Sequence, residues 1–427
     1  MKKVLLITYF FPPANSVAGM RAWSWAKYFH EYGIYPSIIT RHWKGNESTW
    51  SDLTDDSKQE VTKEVFNEYE IYRLPSRKMK SIDLLKNNML KLSFFSKIYY
   101  FFVNMLGHFN VEADARSSFA TFIYSHLKEN KYDLIIVTSP PLNLVRLASD
   151  IHQRTGIPVH VDFRDLWNNG YLNAEYNPAL NQRIIDCFKK RYIRMWLKDA
   201  SGISAVSDPI ARMVVGTEVS DNVFVMTNGF DETIYNGIVK ENTGVFRFSL
   251  IGSYYIQQDL SILISGLKTF LKDKTPKEFR INLIGLSVHS SVADHIMKEI
   301  PNEFIYACDR VGSEEAARFI VNSEVLFQSG WQGYRGIYTT KLFDFIASGN
   351  KVLIAPGDDD VIDELVEKTN AGTIVNSTEE FTSTLNEWFY KWKDKGRLHS
   401  NLNELAVEKY SRHYNARIFA EKIKLKY

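Results

Sequence analysis

The stretch GYRGIYTTKLFDFIASGNKVLIAP, Gly333 to Pro356, holds the residues whose types and spacing best suit chemistry. Leu342, Phe345 and Ile346 fall on one helical face, Thr339 or Thr340 can cap the start, and Gly349 suits the left-handed position that ends a helix. Lys341 then sits in the first turn, where the positive end of the helix dipole disfavours a cation. A lysine is favourable there when an anion shares the place, because free amide N–H groups and an ammonium together hold a phosphate. Asp344, three residues on, projects near Lys341, so the two suit a phosphate and a ribose hydroxyl. An ordinary surface ion pair at that spacing is the competing reading.

Other candidates are fewer. In DFRDLW, Asp162 to Trp167, the polar pair Arg164 and Asp165 follows an apolar run and reads either as a site or as a structural pair at a strand end. Asp358-Asp359-Asp360 beside Pro356-Gly357 reads as a loop of solvated acids rather than a cation site, as do Asp52, Asp55 and Asp56. The only two cysteines, Cys187 and Cys308, give neither a disulfide framework nor a metal cluster and read as buried thiols.

These residues need a scaffold, and the opening MKKVLLITYFFPPANSVAGMR begins it. Two lysines before an apolar run could be a secretory signal, but a Gly-bearing loop, a helical pattern through Ala22, Trp25, Ala26 and Phe29, and the run Ile34 to Thr40 make a βαβ unit. Val4 to Phe11 is therefore expected as its first strand. Further strands are expected at Glu70–Leu74, Leu134–Thr138, Val159–Val161, Gly202–Val206 and Val223–Met226. A second series follows Asn228-Gly229, with strands at Phe246–Ile251, Ile281–Ile284, Val325–Gln328 and Lys351–Ala355. Alternation of this kind implies parallel sheets covered by helices, and its restart implies two domains that bind ligands beyond the carboxyl ends of their strands.

A chain of 427 residues that is 45% hydrophobic is long enough for two or three domains, and its net charge of +2 argues against a dedicated nucleic-acid binder. No run approaches the ~18 apolar residues that span a bilayer. No G-x-G-x-x-G follows a strand, which argues against a dinucleotide-dependent oxidoreductase. Between Arg73 and His108 the chain carries Arg77, Lys78, Lys80, Lys86, Lys91 and Lys97 against one acid, Asp83, with Phe94, Ile98, Phe101, Phe102 and Met105 at helical spacing. Such a segment suits an anionic membrane surface or, equally, a helix packed on the first sheet.

KVLLITYFFPP with its Gly19 loop, DFRDLW, ISAVSDPIA, VMTNGFD and GIYTTKLFDFIASGNKVLIAP occur in an order that resembles glycosyltransferase family 4 over nearly the whole chain. The resemblance implies an α/β GT-B fold, two Rossmann-like, doubly wound parallel-sheet domains facing across a cleft. The expected domains are 1–235 for the acceptor and 236–405 for the donor, with a C-terminal helix at about 406–427 joining the first. It implies a retaining transferase that moves a sugar from a nucleoside-diphosphate sugar to a saccharide or lipid-linked acceptor in bacterial surface polysaccharide or glycolipid assembly. Neither a metal nor another cofactor is expected, nor a nucleic-acid partner; the location would be cytoplasmic, with a peripheral place on the membrane's inner face.

By the same resemblance the donor meets Gly252, Ser253, Arg310, Val311, Arg335, Gly336, Ile337, Tyr338, Thr339, Thr340 and Asp344. Lys341, Asp165 and Arg164 are the catalytic candidates, and Gly19, Arg21 and Ser139 face the acceptor. The chain departs from the family in three places. Gly336 replaces the first of two acids, Gly252-Ser253-Tyr254-Tyr255 replaces a basic pair, and no histidine follows Thr138. A GT-B sugar-nucleotide 2-epimerase and an inactive sugar-nucleotide-binding relative remain as alternatives.

Overall fold

A computed structural model describes residues 1–14, 16–45, 60–75, 93–96, 98, 102, 115–166, 168–173, 175–216, 222–255, 257–286, 290–398 and 400–427. Most of the basic, aromatic segment after Arg73, the acids Asp52, Asp55 and Asp56, and Trp167 lie outside them. The chain divides into two compact units. One comprises Met1–Tyr171, Glu175–Thr227 and Asn415–Tyr427; the other comprises Leu172–Ala174 and Asn228–Tyr414.

The described residues of the first unit form eight strands: β1 (Lys2–Ile7), β2 (Ile34–Arg41), β3 (Thr62–Val65), β4 (Glu70–Leu74), β5 (Leu134–Ser139), β6 (Val159–Phe163), β7 (Gly202–Ala205) and β8 (Val223–Val225). Their spatial order is β3-β4-β2-β1-β5-β6-β7-β8, parallel throughout except for β3, which runs antiparallel to β4. The opening stretch is thus a central strand, paired with β2 on one side and β5 on the other. β1 ends at Ile7, before the expected Phe11, because the Thr8 hydroxyl donates to the Phe10 carbonyl and turns the chain. The unit's helices are α1 (Met20–Tyr28), α2 (Ala115–Glu129), α3 (Asn143–Thr155), α4 (Leu180–Leu197) and α5 (Asp208–Val215).

The second unit has six parallel strands, β9 (Phe246–Ile251), β10 (Phe279–Ile284), β11 (Ile305–Cys308), β12 (Val325–Gln328), β13 (Lys351–Ile354) and β14 (Gly372–Ile374), in the order β11-β10-β9-β12-β13-β14. Its helices are α6 (Ser261–Phe270), α7 (Ser290–Glu299), α8 (Ser313–Val321), α9 (Thr340–Ala347), α10 (Val361–Thr369), α11 (Thr378–Lys395) and α12 (Glu404–Glu408). An aromatic core of Phe246, Phe248, Phe279, Phe327, Phe381 and Phe389 fills one side of this sheet. Leu342, Phe345 and Ile346 of α9 are fully buried on the other, the face their spacing implied. Strand order reverses at β1/β5 in one unit and at β9/β12 in the other, and ligands of doubly wound sheets bind at such points, beyond the carboxyl ends.

The last helix, α13 (Arg412–Lys426), belongs to the first unit from Asn415 onward. Its Phe419 is buried against Trp25, Phe29, His160 and Phe224, with ring centroids 4.9 to 5.8 Å apart. The second unit begins at Asn228, ahead of the expected boundary at 235, because Phe230 and Tyr235 bond within it: the Phe230 amide to the Tyr410 carbonyl, the Tyr235 hydroxyl to Asp344.

Candidate functional site

In the second unit the candidate residues collect at the carboxyl ends of β9, β11 and β12. Gly252 closes β9 with φ at +82°, a backbone setting that strains any residue with a Cβ. Gly285 closes β10 with φ at +74°, and a Cβ there would lie 3.5 Å from the Arg310 Cα. Arg310 and Val311 follow β11; Arg310 is exposed, and Val311 packs against the core around α9.

The loop from β12 to α9 carries the rest. Arg335 is 60% exposed; it donates to the Asp359 carbonyl at 2.9 Å and lies 4.0 Å from Asp360 Oδ1. The Gly336 amide donates to Asp360 Oδ2, which brings a carboxylate to a residue without a side chain. From Ile337 to Lys341, through Tyr338, Thr339 and Thr340, the backbone N–H groups make no hydrogen bond among the described residues. Thr339 stands at the cap of α9 without capping it, and its buried hydroxyl has no partner. Helix starts leave their first amides unsatisfied; here neither the chain nor the cap side chain supplies the missing acceptor.

Lys341 reaches from α9 to the end of β9. Its ammonium donates to the Ser253 carbonyl at 3.0 Å and lies 3.2 Å from the ring centroid of Tyr254. Among the described residues no carboxylate pairs with it, and burial pushes its pKa well below the usual lysine value. A cation removed from water without a counter-charge is unfavourable, and an anion at the same place reverses that. Among the described residues the arrangement combines free amides with an ammonium that has no carboxylate partner, a donor set that suits an anion.

Asp344 does not pair with Lys341, so the surface ion pair considered from sequence is overturned. Its carboxylate accepts from the Tyr235 hydroxyl at 3.0 Å, and burial raises its pKa to about 6. The acidic run after β13 also differs from expectation. Asp358 is not a solvated loop acid: it is buried and accepts from the amides of Asp360, Ile362 and Asp363 at 3.0, 3.2 and 3.2 Å, fastening the start of α10. Among the described residues no cluster of His, Cys, Asp or Glu is arranged to hold a metal ion. Cys187 is exposed on α4, not buried, and Cys308 is half-buried at the end of edge strand β11.

The first unit places its candidates at the ends of β1, β5 and β6. The Arg164 amide bonds the Ser139 carbonyl at 2.9 Å, its guanidinium lies 5.4 Å from the Phe10 ring centroid, and Asp165 is 3.5 Å away. Ser139 is buried with an unpartnered hydroxyl. Gly19 packs on the turn after β1, where a Cβ would come 3.1 Å from the Phe10 carbonyl.

Arg21 is buried and bidentate to Asp162 at 2.6 and 3.1 Å, and its other nitrogen donates to the Met226 and Thr227 carbonyls. Ser204 donates to Asp162 at 2.6 Å and stands 3.0 Å from His160 Nε2. Because Ser204 spends its one proton on Asp162, the imidazole must donate to Ser204; burial lowers the His160 pKa to about 3 and keeps it neutral. The sequence reading missed this network, whose only signal was a histidine and an aspartate alternating within one apolar strand.

No family model and no curated protein matches the chain. Solved structures do. A sucrose-phosphate synthase from Thermosynechococcus elongatus is 11% identical, with 100% of this chain and 99% of that one covered at a TM-score of 0.65. A glycosyltransferase from Rickettsia africae ESF-5 is 12% identical over 100% and 98% of the two chains, at 0.61. HepE of Anabaena, solved in complex with UDP and glucose, is 13% identical over 100% of both chains, at 0.59. The chain has the GT-B fold. At these identities the likeness speaks for GT-B architecture and leaves the chemistry to this chain's own residues.

Proposed function

We propose that this GT-B chain is a retaining glycosyltransferase that takes a nucleoside-diphosphate sugar on its second unit and passes the sugar to a saccharide acceptor. The reading rests on one observation: among the described residues, five successive amides without a hydrogen bond, Ile337 to Lys341, and a partly buried ammonium without a carboxylate partner lie at the β9/β12 switch point. A diphosphate supplies the acceptors that these donors lack. HepE is described with UDP and glucose, which makes UDP the first nucleotide to test.

In front-face transfer the nucleoside diphosphate leaves and the acceptor hydroxyl enters on the same side of the sugar. Negative charge grows on the leaving diphosphate, where the α9 amides and Lys341 would stabilise it without a metal. Asp344 and Tyr235 would meet the ribose, and the loop around Arg310 and Val311 the base. Arg164, Asp165 and Ser139 would serve the acceptor in the first unit, with Gly19 allowing the loop after β1 to pack close. The basic, aromatic composition after Arg73 favours a lipid-linked acceptor at the inner face of the plasma membrane in surface polysaccharide or glycolipid assembly. No helix among the described residues is long and apolar enough to cross a membrane.

Calorimetric titration with UDP, GDP and dTDP, followed by release of nucleotide from the matching sugar donors with and without saccharide acceptors, tests the reading. One nucleotide should bind, and Lys341→Met should slow its release from the sugar donor on the order of hundreds of fold, as for loss of one preorganised donor worth about 3–4 kcal/mol. Binding without any turnover would instead mark a sugar-nucleotide-binding protein, and unchanged turnover in Lys341→Met would remove Lys341 from the reaction.

A further inference from the structure

We infer that Tyr254 is a positioning residue for Lys341, its ring face holding the ammonium at the end of β9 for an incoming diphosphate. The inference rests on the proposed donor site and adds a residue to it. The ammonium lies 3.2 Å from the Tyr254 ring centroid, with a single hydrogen bond, to the Ser253 carbonyl. An ammonium has three donors, so two remain for a ligand among the described residues.

The ring that receives it is held at its hydroxyl and by Phe327. Tyr254 is fully buried, its hydroxyl donates to the Phe327 carbonyl of β12, and its ring stacks on Phe327 at 6.3 Å and 21°. A tyrosine anchored at its polar end and packed on one face has only the other face to offer. The attraction of a cation to that face comes from the ring quadrupole and needs no opposing charge. A carboxylate in the same place would also hold Lys341, but it would neutralise the ammonium and repel the diphosphate. The aromatic face fixes the lysine and leaves its full charge for the ligand. It also favours the protonated form, opposing the burial that pushes the lysine toward neutrality.

The arrangement explains how the site works with Gly252-Ser253-Tyr254 after β9. Gly252 turns the chain at φ +82°, a Cβ there would lie 3.5 Å from Lys341 Cδ, the Ser253 carbonyl accepts from the ammonium, and Tyr254 lies beneath it. Three consecutive residues thus seat one side chain from a helix that follows β12.

Replacing Tyr254 by phenylalanine and then by mono-, di- and trifluorophenylalanine weakens the ring quadrupole stepwise at nearly constant volume. Two readouts apply to the full-length chain: UDP affinity by calorimetry, and the pH midpoint for acetylation of Lys341 by acetic anhydride, followed by mass spectrometry. Tyr254→Phe keeps the ring face and loses the hydroxyl bond to the Phe327 carbonyl, so the fluorinated variants are compared with Tyr254→Phe. Along the fluorinated series UDP affinity should fall, on the order of tenfold in all, and the acetylation midpoint should move to lower pH with each fluorine. A purely structural role would leave the midpoint still. UDP binding that persists with an unmoved midpoint overturns the role of Tyr254 and spares the donor site. A wild-type chain that binds none of UDP, GDP or dTDP overturns the donor site and this role together.

Discussion

Replacing Arg21 with methionine should destabilise the first unit far more than it disturbs ligand binding. The guanidinium holds Asp162 through bonds of 2.6 and 3.1 Å and also donates to the Thr227 carbonyl at 3.0 Å, all with its side chain only 7% exposed and that of Asp162 fully buried. Without it Asp162 keeps the Ser204 hydroxyl as its one hydrogen-bond donor among the described residues and is a buried carboxylate that has lost its ion-pair partner. Breaking a buried pair by removing one partner costs about 3–5 kcal/mol. For a unit of this size that lowers the melting temperature on the order of 10 °C. Asp162→Leu alone should be comparably harmful, whereas the double variant Arg21→Met/Asp162→Leu should lose less than the sum, because no uncompensated charge remains. Urea unfolding of all four proteins yields the coupling energy, and UDP titration gives the second readout. Since the free amides and Lys341 lie in the other unit, UDP affinity should change little. A single variant within about 1 kcal/mol of wild type would refute the argument from burial, and a selective loss of acceptor use with stability intact would restore Arg21 to the acceptor side.

Two further outcomes follow from the donor end. Gly252→Ala forces a Cβ into the left-handed region at φ +82° and should cost about 1–2 kcal/mol, while its methyl, 3.5 Å from Lys341 Cδ, should weaken UDP binding; thermal melts with and without UDP separate the two effects. Burial raises the Asp344 pKa from the usual carboxylate range to about 6, so the folded state binds the proton more tightly than the unfolded state does. Its contribution to stability is accordingly present at low pH and lost as pH rises from about 4 to 6. Asp344→Asn, which can still accept from Tyr235, should flatten the fall in stability across that interval in urea titrations; an unchanged pH slope would deny that Asp344 titrates there.

Much of the scaffold was legible because the buried strands of doubly wound sheets are continuous apolar runs. β9 and β12 sit where the pattern put them, and β1 opens with Lys2 and Lys3 only because its first residues lie toward the surface. Gly349 takes the left-handed φ of +73° that its place after α9 required. The edge strands β3, β11 and β14 were missed: β3 (TKEV) and β14 (GTI) carry no apolar run, and the four residues of β11 (IYAC), exposed or half-exposed, are too short a run to stand out.

What the sequence by itself determined is local: the periodicities that make strands and helices, the glycines that end them, and a lysine in the first turn of α9 where a cation needs an anion. Only the tertiary structure decided whom the side chains meet. Lys341 lies on Tyr254 rather than beside Asp344, Asp344 turns to Tyr235, and Arg21 is spent on a partner 141 residues away. The reason is geometric. Spacing along a helix fixes which neighbours are within reach, but the competing partners come from strands and turns distant in the chain, and burial decides between them by the charge left unmatched.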